Sequence, residues 1–357
     1  MRKKRVSMKD IANELGVSIS TVSRALKDHY DISPELIVKV KELAQKWNYT
    51  PNPFAVGLLK QRTKTIGVLV PDLVTYFYSS IISGIESGAR ERGYHIIIKS
   101  SQESSQKAKE SLQNLLDLRV DGLIVCLSQD AVDVSDFDLI LASEIPLVFF
   151  DRVCRVDEFS SVVIDNVSAA RELTVHLFEN GYRRIAHIAG PENLNISRER
   201  IAGYLEGLED CGLSFNPDYL VHCDLSIDQS ALATDQLLSH PLPPDAVFGV
   251  NDTVIFSAMK VLKKKGLKVP CDVGLVGFTD EFHATVVEPN LTAIAHPTFE
   301  IGKEAVGLLL DEIQSETKRP VRQVALKAKL IVRESSIRKR VEVSKVPFED
   351  NQLKQHS

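Results

Sequence analysis

The chain has 357 residues, 44% hydrophobic and 25% charged, with a net charge of −5, which is material for two or three domains with ample core. No apolar run reaches the roughly 18 residues of a membrane span, and Arg2-Lys3-Lys4-Arg5 has no apolar segment behind it; a membrane or exported protein is therefore excluded and a cytoplasmic one expected. The charge is asymmetric: residues 1–64 hold 13 Lys and Arg against 6 Asp and Glu, while the remainder is acidic, so only the first segment suits a polyanion.

Residues 8–49 read as three amphipathic helices. Ile11, Ala12 and Leu15 share one face, Gly16-Val17-Ser18 supplies a turn and a capping hydroxyl, and residues 19–26 form a second helix. Val22 and Leu26 point inward there, which leaves Ile19, Ser20, Ser23 and Arg24 facing out. That small, polar and basic face suits a DNA major groove, although a plain three-helix packing unit has the same pattern. Ser33-Pro34 opens the third helix, with Ile37, Val40, Ala44 and Trp47 as its core stripe.

Residues 51–64 form a linker with a helical stretch of about two turns. Asn52 caps it, Pro53 occupies its first position, and Phe54, Ala55, Leu58 and Leu59 form its apolar face. A helix that short is marginal alone and forms only when docked. Two readings stand side by side: Leu58 as a wedge in a DNA minor groove, or Phe54 and Leu58 as a tether to the body.

From Thr65 the texture changes to apolar strands alternating with helices. TIGVLV, HIIIK, GLIVC and PLVFF are separated by helical patterns over residues 78–91 and around Ala108, Leu112, Leu115 and Leu116. A second run begins near Asp165, with RIAHIAG, YLVHC, AVFGV and VGLVGF separated by helices. This predicts two doubly wound parallel sheets of about 100 residues each, covered on both faces. Gly93, Gly181, Gly212 and Gly266 fall where helices end. The helix at 299–313 and the strands VRQVALKA and LIVR have no third sheet to join, so they return to the earlier lobes. Residues 335–357 read as a polar, loosely held tail.

In such sheets ligands bind beyond the carboxyl ends of the strands. Those ends carry Asp72 with Tyr76 and Phe77, then Ser128, Asp151-Arg152, Arg198, Asp224, Asn251-Asp252 and Thr279-Asp280. Carboxylates, amides and a guanidinium beside two aromatics suit a neutral hydroxylated molecule such as a sugar, and Asp or Asn after a strand equally serves to cap the next helix. Cys126, Cys154, Cys211, Cys223 and Cys271 show no C-x-x-C spacing and the nine histidines no ligand spacing, so neither a metal nor a cofactor is expected. G-x-S-x-G, the P-loop, G-x-G-x-x-G and H-E-x-x-H are all missing, so an enzyme is not expected either. An enzyme on this scaffold would pair these carboxylates with a nucleophile; a free-standing sugar carrier would have an export signal and no headpiece.

The chain resembles the lac repressor family of bacterial transcription regulators over residues 8–333. The resemblance rests on KDIANELGVSISTVSRAL, ISPE and WNYTPNPFAVGLL, then on DGLIV, FFDR, IDN, HIAGP, ER-IAGY, VNDTV, DVGLVGF and PNLTAI in order. It implies a helix-turn-helix headpiece over residues 1–50, a hinge over 51–64, and a periplasmic-binding-protein-like body over 65–334. It also implies a homodimer on a palindromic operator, with a small effector between two lobes that folds or melts the hinge. By resemblance Ser18, Ile19, Ser20, Thr21, Ser23, Arg24 and Leu58 contact DNA, and Asp151, Arg198 and Asn251 contact the effector; Asn52 in the linker is expected to join the DNA contacts, and the strand-end residues Tyr76, Phe77 and Asp280 the effector site. Pro53 and Val56 depart from the usual basic hinge residues. Leu194, Leu225 and Thr279 stand where purine-responsive members resemble one another in having Arg, Phe and Asp, which disfavours a purine effector. Leu225 also removes an aromatic wall common in sugar sensors, so stacking falls to Tyr76, Phe77 or Phe278.

Overall fold

The computed structural model describes residues 6–49, 62–131, 135–315, 317 and 320–338. The headpiece consists of α1 (Met8–Leu15), α2 (Ile19–Ala25) and α3 (Pro34–Lys46), each opened by a serine whose side chain accepts a backbone N–H: Ser7 from Asp10, Ser18 from Thr21 and Ser33 from Leu36. Each such cap is worth about 1 kcal/mol, a large share for helices this short. Gly16 takes φ 65°, a left-handed conformation that turns the chain between α1 and α2. Ile11, Ala12, Val22, Ala25, Val40 and Ala44 form the core. The inward pair on α2 is thus Val22 and Ala25; the helix ends at Ala25, and Leu26 caps it and is only partly buried. Asn52 and Leu58 lie outside the described residues.

The body contains two six-stranded sheets. Lobe 1 begins with β1 (Thr65–Val70), α4 (Tyr76–Glu91), β2 (His95–Ser100), α5 (Ser105–Asp117), β3 (Gly122–Val125), α6 (Asp136–Ala142), β4 (Leu147–Phe150) and β5 (Ser160–Ile164). The chain then crosses into lobe 2, with α7 (Asn166–Glu179), β6 (Ile185–Ala189), α8 (Asn195–Asp210), β7 (Leu220–His222), α9 (Ile227–Leu238), β8 (Ala246–Gly249), α10 (Asp252–Lys264), β9 (Gly274–Thr279) and β10 (Thr292–Ala295). It returns to lobe 1 as α11 (Thr298–Gln314) and β11 (Gln323–Leu326), and ends in lobe 2 with β12 (Lys329–Ile331).

The sheet orders are β11-β5-β4-β3-β1-β2 and β12-β10-β9-β8-β6-β7. Every neighbouring pair is parallel except β10 with β12. That exception follows from the path: β11 leaves lobe 1 at its carboxyl end, so the chain enters lobe 2 from the cleft side and runs against the other strands. The expected return of the last helix and strands to the earlier lobes is what the topology shows. Three segments carried no signal in the sequence reading: α6, β5 and β10. β5 starts with two serines and β10 is four small or β-branched residues, so neither offers an apolar run of recognisable length.

α4 and α11 cross closely on lobe 1. A side chain at Gly302 would place its Cβ 2.2 Å from the Ile81 carbonyl oxygen, so only glycine allows this approach. The tail expectation needs correction at its start. Ser335 and Ser336 are fully buried: Ser335 Oγ donates to the Leu275 carbonyl and accepts from Thr292 N–H, while Ser336 Oγ bonds His176 Nε2 at 2.7 Å. Arg338 then lies 4.2 Å over the Tyr182 ring. These hydroxyls satisfy groups at the ends of lobe 2 strands, so the body reaches at least residue 338.

Candidate effector cleft and DNA-binding surface

On the headpiece, Ser18, Ile19, Ser20 and Arg24 are exposed, while Thr21 and Ser23 are half-buried. The Ser18 hydroxyl caps α2 and lies 2.7 Å from Ser20 Oγ and 2.8 Å from Thr21 Oγ1. Ser18 thus has a structural task alongside any contact with phosphate. Arg24 donates to Asp31 at 2.5 Å, and His29 Nδ1 lies 2.7 Å from the same carboxylate. Asp31 accordingly has a carboxyl pulled below the usual range, and it holds Arg24 in place at one end of the exposed face.

Between the lobes, beyond the carboxyl ends of the parallel strands, lies a cavity of about 240 Å³. Both lobes contribute: Phe77, Glu103, Asp151 and Arg152 from lobe 1, and Arg200, Leu225, Asn251, Asp252 and Thr279 from lobe 2. Ligand pockets usually run from roughly 300 to 1,000 Å³, so this one suits a compact molecule. Asp151, Leu225 and Thr279 have φ of 57°, 65° and 90°. Three non-glycine residues in left-handed conformations around one cavity are the kind of local cost found at ligand sites.

Asp151 is buried at 8% exposure, and its carboxylate has no hydrogen-bond partner among the described residues. Burial raises its pKa, with Arg200 and Arg152 pulling the other way. Arg200 is 2% exposed; Nε donates to Asn166 Oδ1 at 2.9 Å, Nη1 to the Val250 carbonyl at 2.5 Å, and the guanidinium lies 4.0 Å over the Phe278 ring. Burial pushes Arg200 down to about 10, opposed by Asp151 and Glu199. The two charges feel each other without being bonded. Arg152 is held differently, by Glu103 at 2.8 Å and the Leu127 carbonyl at 3.3 Å.

Asn251 caps α10 by accepting from Val254 N–H through Oδ1, which leaves its amide NH2 for the cleft. Capping and ligand contact, posed as alternatives from the sequence, are compatible at this residue. Asp252 is buried and pushed up to about 7 by desolvation, although the Thr279 hydroxyl and Glu281 N–H both donate to Oδ2.

Of the six residues expected at the cleft, Phe77, Asp151 and Asn251 line it together, and Tyr76, Arg198 and Asp280 do not. Tyr76 is half-exposed. Arg198 donates to the Glu192 and Asn193 carbonyls and holds the loop before α8. Asp280 is bound by Arg333 at 2.5 and 3.1 Å. The lobe 2 guanidinium at the cleft belongs to Arg200, four residues after Ile196, which also lines it; position 198 falls on another face of the helix. The signal was present in ER-IAGY, whose arginine is Arg200. Stacking on Phe278 is closed by Arg200, which leaves Phe77, with Tyr78 beside it, as the aromatic lining.

A headpiece with an exposed helix, carried on a two-lobed body with a polar interlobe cavity, defines a ligand-responsive DNA-binding protein. The comparisons agree. Residues 7–52 match the model for bacterial regulatory proteins of the lacI family, and residues 63–334 that for periplasmic binding proteins and the sugar-binding domain of the LacI family. The HTH-type transcriptional repressor CytR of Escherichia coli (strain K12) is 34% identical over 310 residues, covering 87% of this chain and 90% of the relative. The HTH-type transcriptional regulator CelR of Thermobifida fusca is 33% identical over 342 residues, 94% of this chain and 99% of the relative. Among solved structures, the lac repressor dimer bound to operator and the anti-inducer ONPF matches with a TM-score of 0.81 at 27% identity, covering 94% of this chain and all of that one. A CelR–cellobiose complex matches with a TM-score of 0.70 at 32% identity, covering 93% and 100%.

The chain belongs to the LacI family of bacterial transcription regulators. It is a DNA-binding repressor of that type with a sugar-binding body, and its relatives are regulators rather than enzymes. No described helix is long and apolar enough to cross a membrane.

Proposed function

We propose that this repressor acts as a cytoplasmic homodimer on a palindromic operator, and that its effector is a compact, neutral sugar or sugar derivative held between Asp151, Arg200 and the Asn251 amide. It binds the effector without turning it over. The observation that carries this reading is the buried, unbonded Asp151 carboxylate facing a cavity it shares with Arg200. A buried acceptor without a partner beside a buried guanidinium suits the vicinal hydroxyls of a sugar, where every hydroxyl both donates and accepts. A strongly anionic ligand would meet Asp72, Glu103, Asp151 and Glu281 in the same wall. Phe77 supplies an apolar face for one side of a ring. On the headpiece, Ser18, Ile19, Ser20, Thr21, Ser23 and Arg24 form the reading surface; Ile19 and Ser20 favour thymine methyl contacts over bidentate guanine contacts. Asn52 and Leu58 extend it into the hinge.

The test is a thermal-shift screen of neutral monosaccharides, disaccharides and nucleosides on the full chain, since a ligand of the folded body raises its apparent stability. A neutral sugar is expected to raise Tm, and Asp151→Asn is expected to weaken that sugar by about tenfold or more while leaving DNA binding in its absence unchanged. Shifts produced only by anions would reject the sugar reading. NMR of the sugar after incubation is expected to show it intact.

A further inference from the structure

Neither the effector cleft nor the DNA surface uses Asp121, the first residue of the DGLIV motif. It stands just before β3, at the end of lobe 1 opposite the cleft, where the linker from the headpiece arrives. Its carboxylate accepts the backbone N–H of Thr63 at 2.6 Å and of Lys64 at 3.0 Å. The Thr63 hydroxyl lies 2.8 Å from both Asp121 Oδ1 and the Arg119 carbonyl and shares its proton between them. One residue earlier, Arg62 Nη2 donates to the Ile313 carbonyl in the last turn of α11 at 3.0 Å. The end of the linker is therefore held at two points, one on the sheet and one on α11. That helix starts two residues after His296, whose ring touches Arg200 and Phe77, and its 17 residues span about 25 Å.

Lobe 2 contains the same device without a linker. Asp245, just before β8, accepts Arg183 N–H at 3.1 Å and Arg184 N–H at 2.8 Å. Its own N–H donates to the Arg184 carbonyl, as Asp121 N–H donates to that of Thr65. In lobe 2 the carboxylate closes the start of a strand. In lobe 1 it also holds the last two residues of the linker. The settings differ as well: Asp245 is 6% exposed, whereas Asp121, Thr63 and Arg62 border an open groove of about 670 Å³. The lobe 1 latch is therefore open to solvent where its lobe 2 counterpart is enclosed.

We propose that Asp121 is a positioning residue for operator binding: by clamping Thr63 and Lys64 it sets the exit point and direction of the linker, and so the spacing at which two headpieces are presented. This rests on the reading of the chain as a dimeric operator-binding regulator. Specific binding needs both headpieces on their half-sites at once and depends on that tether, whereas binding to any duplex rests on phosphate contacts that each headpiece makes alone.

The experiment selects a palindrome from random duplexes with the full chain, then measures affinity for it and for a scrambled duplex, together with Tm, for three variants. Asp121→Ala is expected to lower palindrome affinity about tenfold and scrambled-duplex affinity less than twofold. Thr63→Val, a milder lesion in the same latch, is expected to act in the same direction by about threefold. Asp245→Ala is expected to lower Tm at least as much as Asp121→Ala while leaving the palindrome-to-scrambled ratio unchanged. Equal ratios for Asp121→Ala and Asp245→Ala would overturn the proposal. If Asp121→Ala does not fold, an unchanged ratio in Thr63→Val overturns it instead. A wild-type chain that selects no palindrome overturns the underlying reading and this proposal with it.

Discussion

At the scale of single residues, the cleft is a set of desolvated charges whose titration shapes stability. Asp252 titrates at about 7 when folded, against an ordinary value of 3.8. Between those values the folded chain keeps a proton that the unfolded chain has released, so this group's contribution to stability falls as pH rises from about 4 to about 7 and stays low above. His187 and His296 act in the opposite sense: burial pushes both down to about 3, so their contribution is lost as pH falls below about 6.5. Asp252→Asn is expected to leave Tm near pH 4 unchanged and to gain about 2 kcal/mol at pH 8, because a neutral amide accepts the same bonds from Thr279 and Glu281 without the buried charge. Urea melts at the two pH values measure this, and an equal gain at both would place the effect outside the titration. Residue types at strand ends were legible in the sequence, and two of them, Asp151 and Asn251, line the cavity. Which of two nearby arginines faces it was not, because that depends on the rotation of α8 about its axis, two residues being more than half a turn.

At the scale of elements, hydrophobic period carried most of the information. Helices α3, α4, α7 and α10 and strands β1, β2, β6 and β8 are found within a few residues of where the apolar pattern placed them, and all four helix-ending glycines take positive φ. What escaped was short or mixed. β5 and β10 are buried through their interior place in a sheet rather than through their own composition, and a short strand without a run of large apolar residues cannot be told from a loop. The α4–α11 crossing was also invisible, because it joins residues more than 200 positions apart. Gly302→Ala tests it: the added Cβ would sit 2.2 Å from the Ile81 carbonyl oxygen, so the helices must part. Overpacking of this kind is expected to cost about 1–3 kcal/mol in a denaturant melt. Gly307→Ala, on the same helix with open space around its missing Cβ, is expected to be neutral or slightly stabilising.

At the scale of the whole molecule, charge and topology work together. The basic segment at residues 1–64, ahead of an acidic body, orients the protein on a duplex, and its affinity for any DNA is expected to fall steeply with salt. Selection from random duplexes is expected to return a palindrome of about 14–20 base pairs, matching two half-sites about one helical turn or more apart; enrichment of unpaired single half-sites would argue for a monomer on DNA. The asymmetry was legible from counting charges, and the returning last helix from its lack of a third sheet. The path those returns take has a consequence for synthesis. Lobe 1 receives its fifth strand by residue 164, yet its sixth strand, and the helix that covers one of its faces, are completed only at residue 326. At about 5–20 residues per second, the ribosome takes roughly 8 to 30 seconds to deliver that missing layer. For most of that interval Ile81, Ile85 and Ile124 wait without Val306 and Leu309, so the first lobe to be begun cannot close until lobe 2 is all but complete, and a nascent chain stalled after β10 would carry its bare apolar face into contact with chaperones or other chains.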